Sequence, residues 1–381
     1  MRIAIINLTA GGMSGGYKKY LRNMIPLMAR DAKVESILCA SPANLKVHTW
    51  FQPYDNVKFA NCLPYNLFHR GDPVLKRELE KFSPDVIFLP IERYLSFNNV
   101  PVVNMIQNML PMVSVSNNPF HEKIRNYVQR YIAKMSVRKV QRVIAISNYV
   151  REYLIYKWGV NDELIGVVYH GVDQPAEKGH KRVAGIPSAW ENMFLFTAGS
   201  IDPYRGLEDI IFAINLLNSR GIRVPLVIAG NARPSMSNYH NKLKDMITKM
   251  NLNPYIYWTG FLDEKEMSWC YTNCKAFIMT SRVESFGMIA GEAMAHGCVC
   301  VSADNPCLPE IFGSAALYYK PKDYHALANA IMEVLSWDEA KRKQMSDRAR
   351  RRAAQFSWEV CAQKTVDQLQ LAIEEYTQKR R

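Results

Sequence analysis

Short runs of β-branched and other apolar residues alternate along this chain with longer stretches whose apolar positions recur every three or four residues. A continuous apolar run of four to six residues fits a strand buried on both faces, and the amphipathic stretches between such runs fit helices that cover the sheet. In the first half the runs predict strands over 3–8, 34–39, 85–89, 102–106 and 142–146. The rhythm restarts in the second half, with strands over 193–198, 225–229, 255–259, 276–279 and 299–302. Helices are expected over 288–296, stopped by Gly297, over 321–335 with a charged stretch running on to Arg352, and over 358–376, where Val360, Val366, Leu369 and Ile373 fall on one stripe. Between the halves, 173–187 holds Pro175, Pro187, Gly179, Gly185 and several charges, the composition of a linker. The expected fold class is α/β, with two parallel-sheet Rossmann-like domains at 1–178 and 188–358 and a C-terminal helix, 359–381, packing back toward the first. Ligands of such sheets bind beyond the carboxyl ends of the strands.

Composition agrees with this picture. A chain of 381 residues with 48% hydrophobic and 22% charged residues has the balance of a globular protein of two domains. No apolar run approaches the roughly 20 residues of a membrane span, and the first apolar stretch is too short for a signal peptide. The expected location is therefore cytoplasmic. The eight cysteines form no CxxC pair and sit in apolar contexts, so buried thiols are favoured over a zinc site. Charge is unevenly placed. Of the net +13, residues 1–185 carry 25 Lys+Arg against 14 Asp+Glu, which points to an anionic partner on the front half.

Three segments carry candidate chemistry. Gly11, Gly12, Gly15 and Gly16 follow the first strand and precede a helical pattern, where the backbone can approach a ligand closely and a helix start offers N–H groups to an anion. The spacing is not GxGxxG, and a flexible connection is the competing reading. Gly199-Ser200-Ile201-Asp202-Pro203-Tyr204-Arg205 follows the first strand of the second half. Arg205 stands in a turn where it could grip a diphosphate, or simply pair with Glu208 or Asp209. The third segment runs from Ser281 to Gly297: Glu284 in a loop, Ser285, Phe286 and Gly287 at a helix start that suits a phosphate, and Glu292 on an otherwise apolar helix where it has no evident protein partner.

Glu284 and Glu292, with Ser-Phe-Gly between them, resemble the E-x7-E motif of retaining glycosyltransferases of the GT-B fold, family 4 above all. The early glycine loop, Ser83-Pro84-Asp85-Val86-Ile87, Ala145-Ile146-Ser147-Asn148-Tyr149, His170-Gly171-Val172-Asp173, Tyr204-Arg205-Gly206, Trp258-Thr259-Gly260-Phe261 and Phe356-Ser357-Trp358 resemble that family's landmarks in the same order. The resemblance implies two Rossmann-like domains facing across a cleft and a nucleotide-diphosphate sugar as donor. Glu292 would hold the ribose and Glu284 the donor sugar. The Ser285, Phe286, Gly287 and Met288 amides would meet sugar and diphosphate, Arg205 would neutralise the leaving phosphate, and Gly15 and Gly16 would admit the donor from the other domain. Ser200, after Gly199, stands where many members carry a second cation. Gln107 and Asn108 stand where many carry a histidine; neither can act as a base, but either can bind a sugar hydroxyl or orient the acceptor. No Asp-x-Asp motif lies at a strand end, so neither a metal nor another cofactor is expected.

The basic excess concentrates in 121–142, where Lys123, Arg125, Arg130, Lys134, Arg138, Lys139 and Arg142 face one acid, Glu122, with Tyr127, Tyr131, Ile132 and Met135 among them. Such a helix can lie on an anionic bilayer, here the inner face of a plasma membrane, or be an ordinary solvated helix; no nucleic-acid-binding module accompanies it. The Gln-Asn-Met-Leu-Pro stretch resembles members acting in O-antigen or capsule assembly. The expected function is thus retaining transfer of a hexose, mannose being favoured, to a glycan or lipid-linked acceptor in surface polysaccharide or lipopolysaccharide assembly. A sugar-nucleotide epimerase of the same fold and a non-catalytic nucleotide-sugar-binding subunit are the alternatives.

Overall fold

The structure is a computed structural model that describes residues 1–9, 15–64, 72–113, 118–175 and 179–380. The chain divides into two compact units, one formed by 1–112, 124–171 and 357–381, the other by 113–123 and 172–356.

The first unit is built on seven parallel strands: β1 (Arg2–Ile6), β2 (Ser36–Ser41), β3 (Val57–Asn61), β4 (Val86–Leu89), β5 (Val102–Ile106), β6 (Arg142–Ala145) and β7 (Ile165–Val167). Their order is β3-β2-β1-β4-β5-β6-β7. The apolar runs predicted as strands occupy β1, β2, β4, β5 and β6, buried on both faces. Two strands escape the pattern. In β3, an edge strand, only Val57 is buried, and β7 has three residues. Helices α1 (Gly15–Ala29), α2 (Pro73–Phe82), α3 (Phe120–Val137) and α4 (Asn148–Trp158) connect the strands. Their starts follow local rules. Asp72 accepts from the Val74 and Leu75 N–H groups ahead of Pro73 on α2, and Ser147 Oγ accepts from Val150 N–H on α4, which Gly159 closes in the left-handed region.

The second unit carries β8 (Leu195–Ala198), β9 (Leu226–Ala229), β10 (Ile256–Gly260), β11 (Ala276–Met279), β12 (Cys300–Ala303) and β13 (Ala316–Tyr319), all parallel in the order β10-β9-β8-β11-β12-β13. Its helices are α5 (Leu207–Ser219), α6 (Ser237–Lys249), α7 (Glu264–Asn273), α8 (Met288–Ala295), α9 (Leu308–Phe312), α10 (Tyr324–Ser336) and α11 (Glu339–Ala353). The charged stretch up to Arg352 is therefore a helix of its own, with Met345, Ala349 and Ala353 as its buried stripe.

The last helix, α12 (Trp358–Gln378), belongs to the first unit and packs along α1. Ser357 caps it, and the Trp358 ring lies so close to Gly171 that a Cβ there would stand only 2.3 Å from a ring carbon. His170, one residue earlier, is buried with its ring centroid 4.9 Å from that of Tyr20, and desolvation pushes its pKa down to about 3. It is a core histidine, neutral at physiological pH. Toward its other end α12 presents Glu375 to Arg142 at the start of β6, and Gln368 accepts from Arg142 Nε at 3.0 Å.

In both sheets the strand order reverses direction between the first and fourth strands of the unit: between β1 and β4 in one, between β8 and β11 in the other. At that point the loops leaving neighbouring strands diverge to opposite faces and open a crevice.

Candidate functional site

In the second unit the loops leaving β8 and β11 bring the sequence-predicted residues to this switch point. Gly199 follows β8 with φ +135°, and a Cβ there would lie 2.9 Å from Arg205 Nε, so only glycine lets the guanidinium lie against the backbone. The chain turns through Pro203–Arg205 and re-enters helix at Gly206. A side chain is excluded there as well, since φ is +64° and a Cβ would stand 2.5 Å from Thr280 O. Arg205 Nη1 then donates to Glu284 Oε1 at 2.5 Å and to Ser281 Oγ at 3.2 Å. Its Nε is buried and without a hydrogen-bond acceptor among the described residues. Burial opposes the charge, but Tyr204, Glu284 and Asp202 outweigh it and hold the guanidinium firmly protonated. Ser200 Oγ lies 3.0 Å from the Tyr204 hydroxyl, and the Arg205 guanidinium sits over the Tyr204 ring at 4.9 Å. Glu208 and Asp209, the rival partners for Arg205, are taken by Arg282 at 3.5 and 2.9 Å.

Beyond Glu284, Phe286 is buried edge-on against Phe356 at 5.3 Å, which anchors the loop and leaves its backbone to shape the site. Gly287, at φ +86°, opens α8, and no side chain among the described residues caps that helix. With Met288 it presents a helix start whose dipole favours an anion. A polar contact invisible in the sequence fixes the loop: Asn305, buried after β12, donates to Ser281 O at 2.6 Å while its Oδ1 accepts from the Cys307 and Leu308 N–H groups.

Glu292 is placed differently from the expectation. It is half-buried on α8, and the Tyr271 hydroxyl of α7 donates to its Oε2 at 3.2 Å. The expected carboxylate without a protein partner is therefore corrected: Tyr271 supplies a hydrogen bond, and burial together with Glu292 raises the phenol's pKa. Met288, four residues after Glu284, begins α8, and Glu292 lies one helical turn further on.

The remaining predicted residues lie in the first unit. Gly15 and Gly16 are the first residues of α1, while 10–14 fall outside the described residues. Gln107 and Asn108 leave the end of β5. Their N–H groups both donate to Oε1 of Glu92, at 2.6 and 2.7 Å, and Gln107 Nε2 donates to Pro90 O at 2.9 Å. Glu92, three residues past β4, was not a sequence candidate. An acid just after a strand predicted to end at a ligand-binding rim was the available signal.

The basic stretch is also corrected in part. Arg142 does not share a surface with the other six cations, because it is buried at the start of β6 and paired with Glu375. Glu122 is buried as well, 3.6 Å from Arg233 Nη1, so the one acid of the stretch is withdrawn from its surface. Ile132 and Met135 are half-buried, whereas Phe120, Ile124, Tyr127, Val128 and Tyr131 are exposed along α3. Among the described residues no group of three or more His, Cys, Asp or Glu is placed to hold a metal ion, and no helix is long and apolar enough to cross a membrane.

Comparison with known proteins bears on both units. Residues 14–174 match the family described as Glycosyltransferase Family 4, and residues 185–352 match Glycosyl transferases group 1. The O-antigen chain mannosyltransferase RfbU of Salmonella typhimurium is 22% identical over 87% of this chain and 90% of its own length. The O-antigen chain mannosyltransferase B of Escherichia coli is 27% identical over 48% of this chain, and the match spans only 47% of that protein. Among solved structures, Anabaena HepE in complex with UDP superposes with a TM-score of 0.73 at 19% identity, covering 97% of this chain and 100% of that one. The shared fold is GT-B.

Proposed function

This chain belongs to the GT-B glycosyltransferases of the family 4 type, and we propose that it moves a hexose, mannose first among the candidates, from a nucleotide-diphosphate sugar to a growing surface glycan or its lipid-linked precursor. The observation that carries this reading is the cluster at the β8–β11 switch point, where Arg205, Ser281 and Glu284 gather beside the uncapped start of α8. A fixed cation and a helix N-terminus side by side suit a leaving diphosphate. Glu284, now held by Arg205, can turn its carboxylate to a sugar hydroxyl once phosphate takes over the guanidinium. Glu292, oriented by Tyr271, accepts from the ribose diol. Mannose is supported by the names of the O-antigen relatives, and a nucleotide donor by the UDP held in HepE.

In this reading the sugar–phosphate bond breaks on the same face that the acceptor enters. The leaving phosphate oxygen takes the acceptor proton, and the anomeric configuration is retained. Arg205 and the α8 start supply the charge stabilisation, so no metal is called on. A thermal-shift screen of UDP-, GDP-, ADP- and dTDP-sugars should single out one base. The product made from that donor should then carry the donor's anomeric configuration by NMR. Inverted product would overturn the mechanism, and no shift with any donor would overturn the function.

The acceptor reading extends to the membrane. Phe120, Ile124, Tyr127, Val128 and Tyr131 recur at helical spacing along α3, with Phe120 78% and Tyr127 70% exposed. Exposed Lys123, Arg125 and Arg130 accompany them. An apolar stripe with cations beside it suits the headgroup layer of an anionic bilayer. Vesicles of phosphatidylcholine containing phosphatidylglycerol should carry the protein upward in flotation, those of phosphatidylcholine alone much less. A Tyr127→Ser/Tyr131→Ser variant should stay at the bottom, and wild-type protein that never floats removes the membrane from the proposal.

A further inference from the structure

The first unit has a switch point of its own, and the residues gathered there are separate from the Arg205–Glu284 cluster. Three adjacent strands end side by side: β1 at Asn7, β4 just before Glu92, and β5 at Gln107–Asn108. Asn7 is fully buried. Its Oδ1 accepts from the Thr9 N–H, the Thr9 hydroxyl and the Tyr17 hydroxyl, at 3.1, 2.7 and 3.1 Å, while its Nδ2 is buried without an acceptor among the described residues. Glu92 is half-buried, and its Oε1 receives both the Gln107 and Asn108 N–H groups, while neither of these bonds falls on Oε2. Asn108 Oδ1 in turn accepts from Leu110 N–H at 2.9 Å, so the turn after β5 is held at both ends and the exposed Asn108 is kept in place.

Desolvation raises the Glu92 pKa, against the lowering effect of its backbone donors and of Arg93. A second carboxylate oxygen outside that pair of bonds, on a half-buried residue at a ligand-binding rim, is where a hydroxyl donor would be accommodated. Gln107 Nε2 is committed to Pro90 O, so Gln107 has no amide donor to offer and can contribute only its oxygen.

From this geometry we propose that Glu92 is the acceptor-side specificity residue: Oε1 fixes the Gln107–Asn108 turn, and Oε2 accepts a hydrogen bond from a hydroxyl of the acceptor sugar. The proposal rests on the glycosyltransferase reading and adds to it the group that recognises the acceptor. The ligand class is a neutral hexoside, because a carboxylate repels the phosphate of an anionic acceptor from this spot.

Glu92→Gln isolates the claim. An amide oxygen can still accept from the Gln107 and Asn108 N–H groups, whereas the position of Oε2 becomes a donor. Octyl α-D-mannopyranoside and octyl α-D-glucopyranoside serve as probes, with binding followed by saturation-transfer NMR titration. Wild-type protein should bind at least one of them, and Glu92→Gln should bind it about tenfold more weakly, the loss of one charged hydrogen bond. The melting temperature of the variant should match wild type. If it does not, Glu92→Asp, which keeps the charge but withdraws it by one methylene, must weaken the same probe. Binding of neither glycoside by wild type, or equal binding by the variants, overturns the proposal. Nucleoside diphosphate binding, measured on the same samples, separates the two readings: its absence in wild type sinks the transferase reading, whereas its presence with no Glu92 effect sinks only this one.

Discussion

Arg205→Ala should lower turnover by roughly 100- to 1,000-fold while changing nucleotide affinity much less, the size of effect seen when one preorganised charge donor is removed from a developing anion. The physical basis is the commitment of this side chain. Its Nη1 is already aimed by Ser281 and Glu284, its Nε is buried without an acceptor among the described residues, and the Gly199 backbone leaves room for it alone. A cation held so firmly loses nothing to reorganisation as charge builds on the leaving phosphate. Removing it also strips Glu284 of a partner in a half-buried site, which destabilises the fold independently of catalysis. The double variant Arg205→Ala/Glu284→Gln removes that complication and should melt closer to wild type than Arg205→Ala, yet turn over no faster. Turnover is read from donor consumption at saturating donor. A single variant with wild-type turnover would remove Arg205 from the mechanism.

How much of this was legible in the sequence depended on whether a residue's partner lay nearby along the chain. Apolar runs predicted ten of the thirteen strands among the described residues; nine of these are buried on both faces and so largely apolar, while the edge strand β10, half-buried after Ile256, still carries aromatic and β-branched residues. The edge strand β3 exposes Lys58 and Phe59, and β7 is too short to form a run, so neither carries that signature. The edge strand β13 combines Leu317 and Tyr318, both half-buried, with a glycine-serine entry that looks like a loop. At the site, Glu284, Gly287 and Arg205 were visible because they belong to local turns and a helix start. Tyr271, Asn305 and Glu92 were not, since each acts on a segment separated from it by a strand or a helix. Arg142 shows the same limit. Counted among its sequence neighbours it extends a basic stripe, but its partner Glu375 is 233 positions away on α12.

Glu292→Ala should weaken the nucleotide and leave the chemical step alone. A carboxylate accepting from a ribose hydroxyl is worth about 1.5–3 kcal/mol, so the dissociation constant of the nucleoside diphosphate should rise roughly ten- to a hundredfold. The Tyr271 contact makes the expectation sharper. That hydroxyl holds Oε2 at 3.2 Å, which fixes the carboxylate's rotamer before the ribose arrives. Tyr271→Phe should therefore cost less than Glu292→Ala, because it takes one hydrogen bond from the carboxylate without removing it. In Glu292→Gln the amide can still accept from the tyrosine and from one ribose hydroxyl, and its affinity should fall between the two. Isothermal titration with the diphosphate of the selected base gives all three constants. Turnover at saturating donor should stay near the wild-type value in each, since the ribose keeps its contacts unchanged from bound donor to transition state. Affinities ordered otherwise, with Tyr271→Phe as damaging as Glu292→Ala, would mean that the pair serves to clamp α7 onto α8 and that the ribose is held elsewhere.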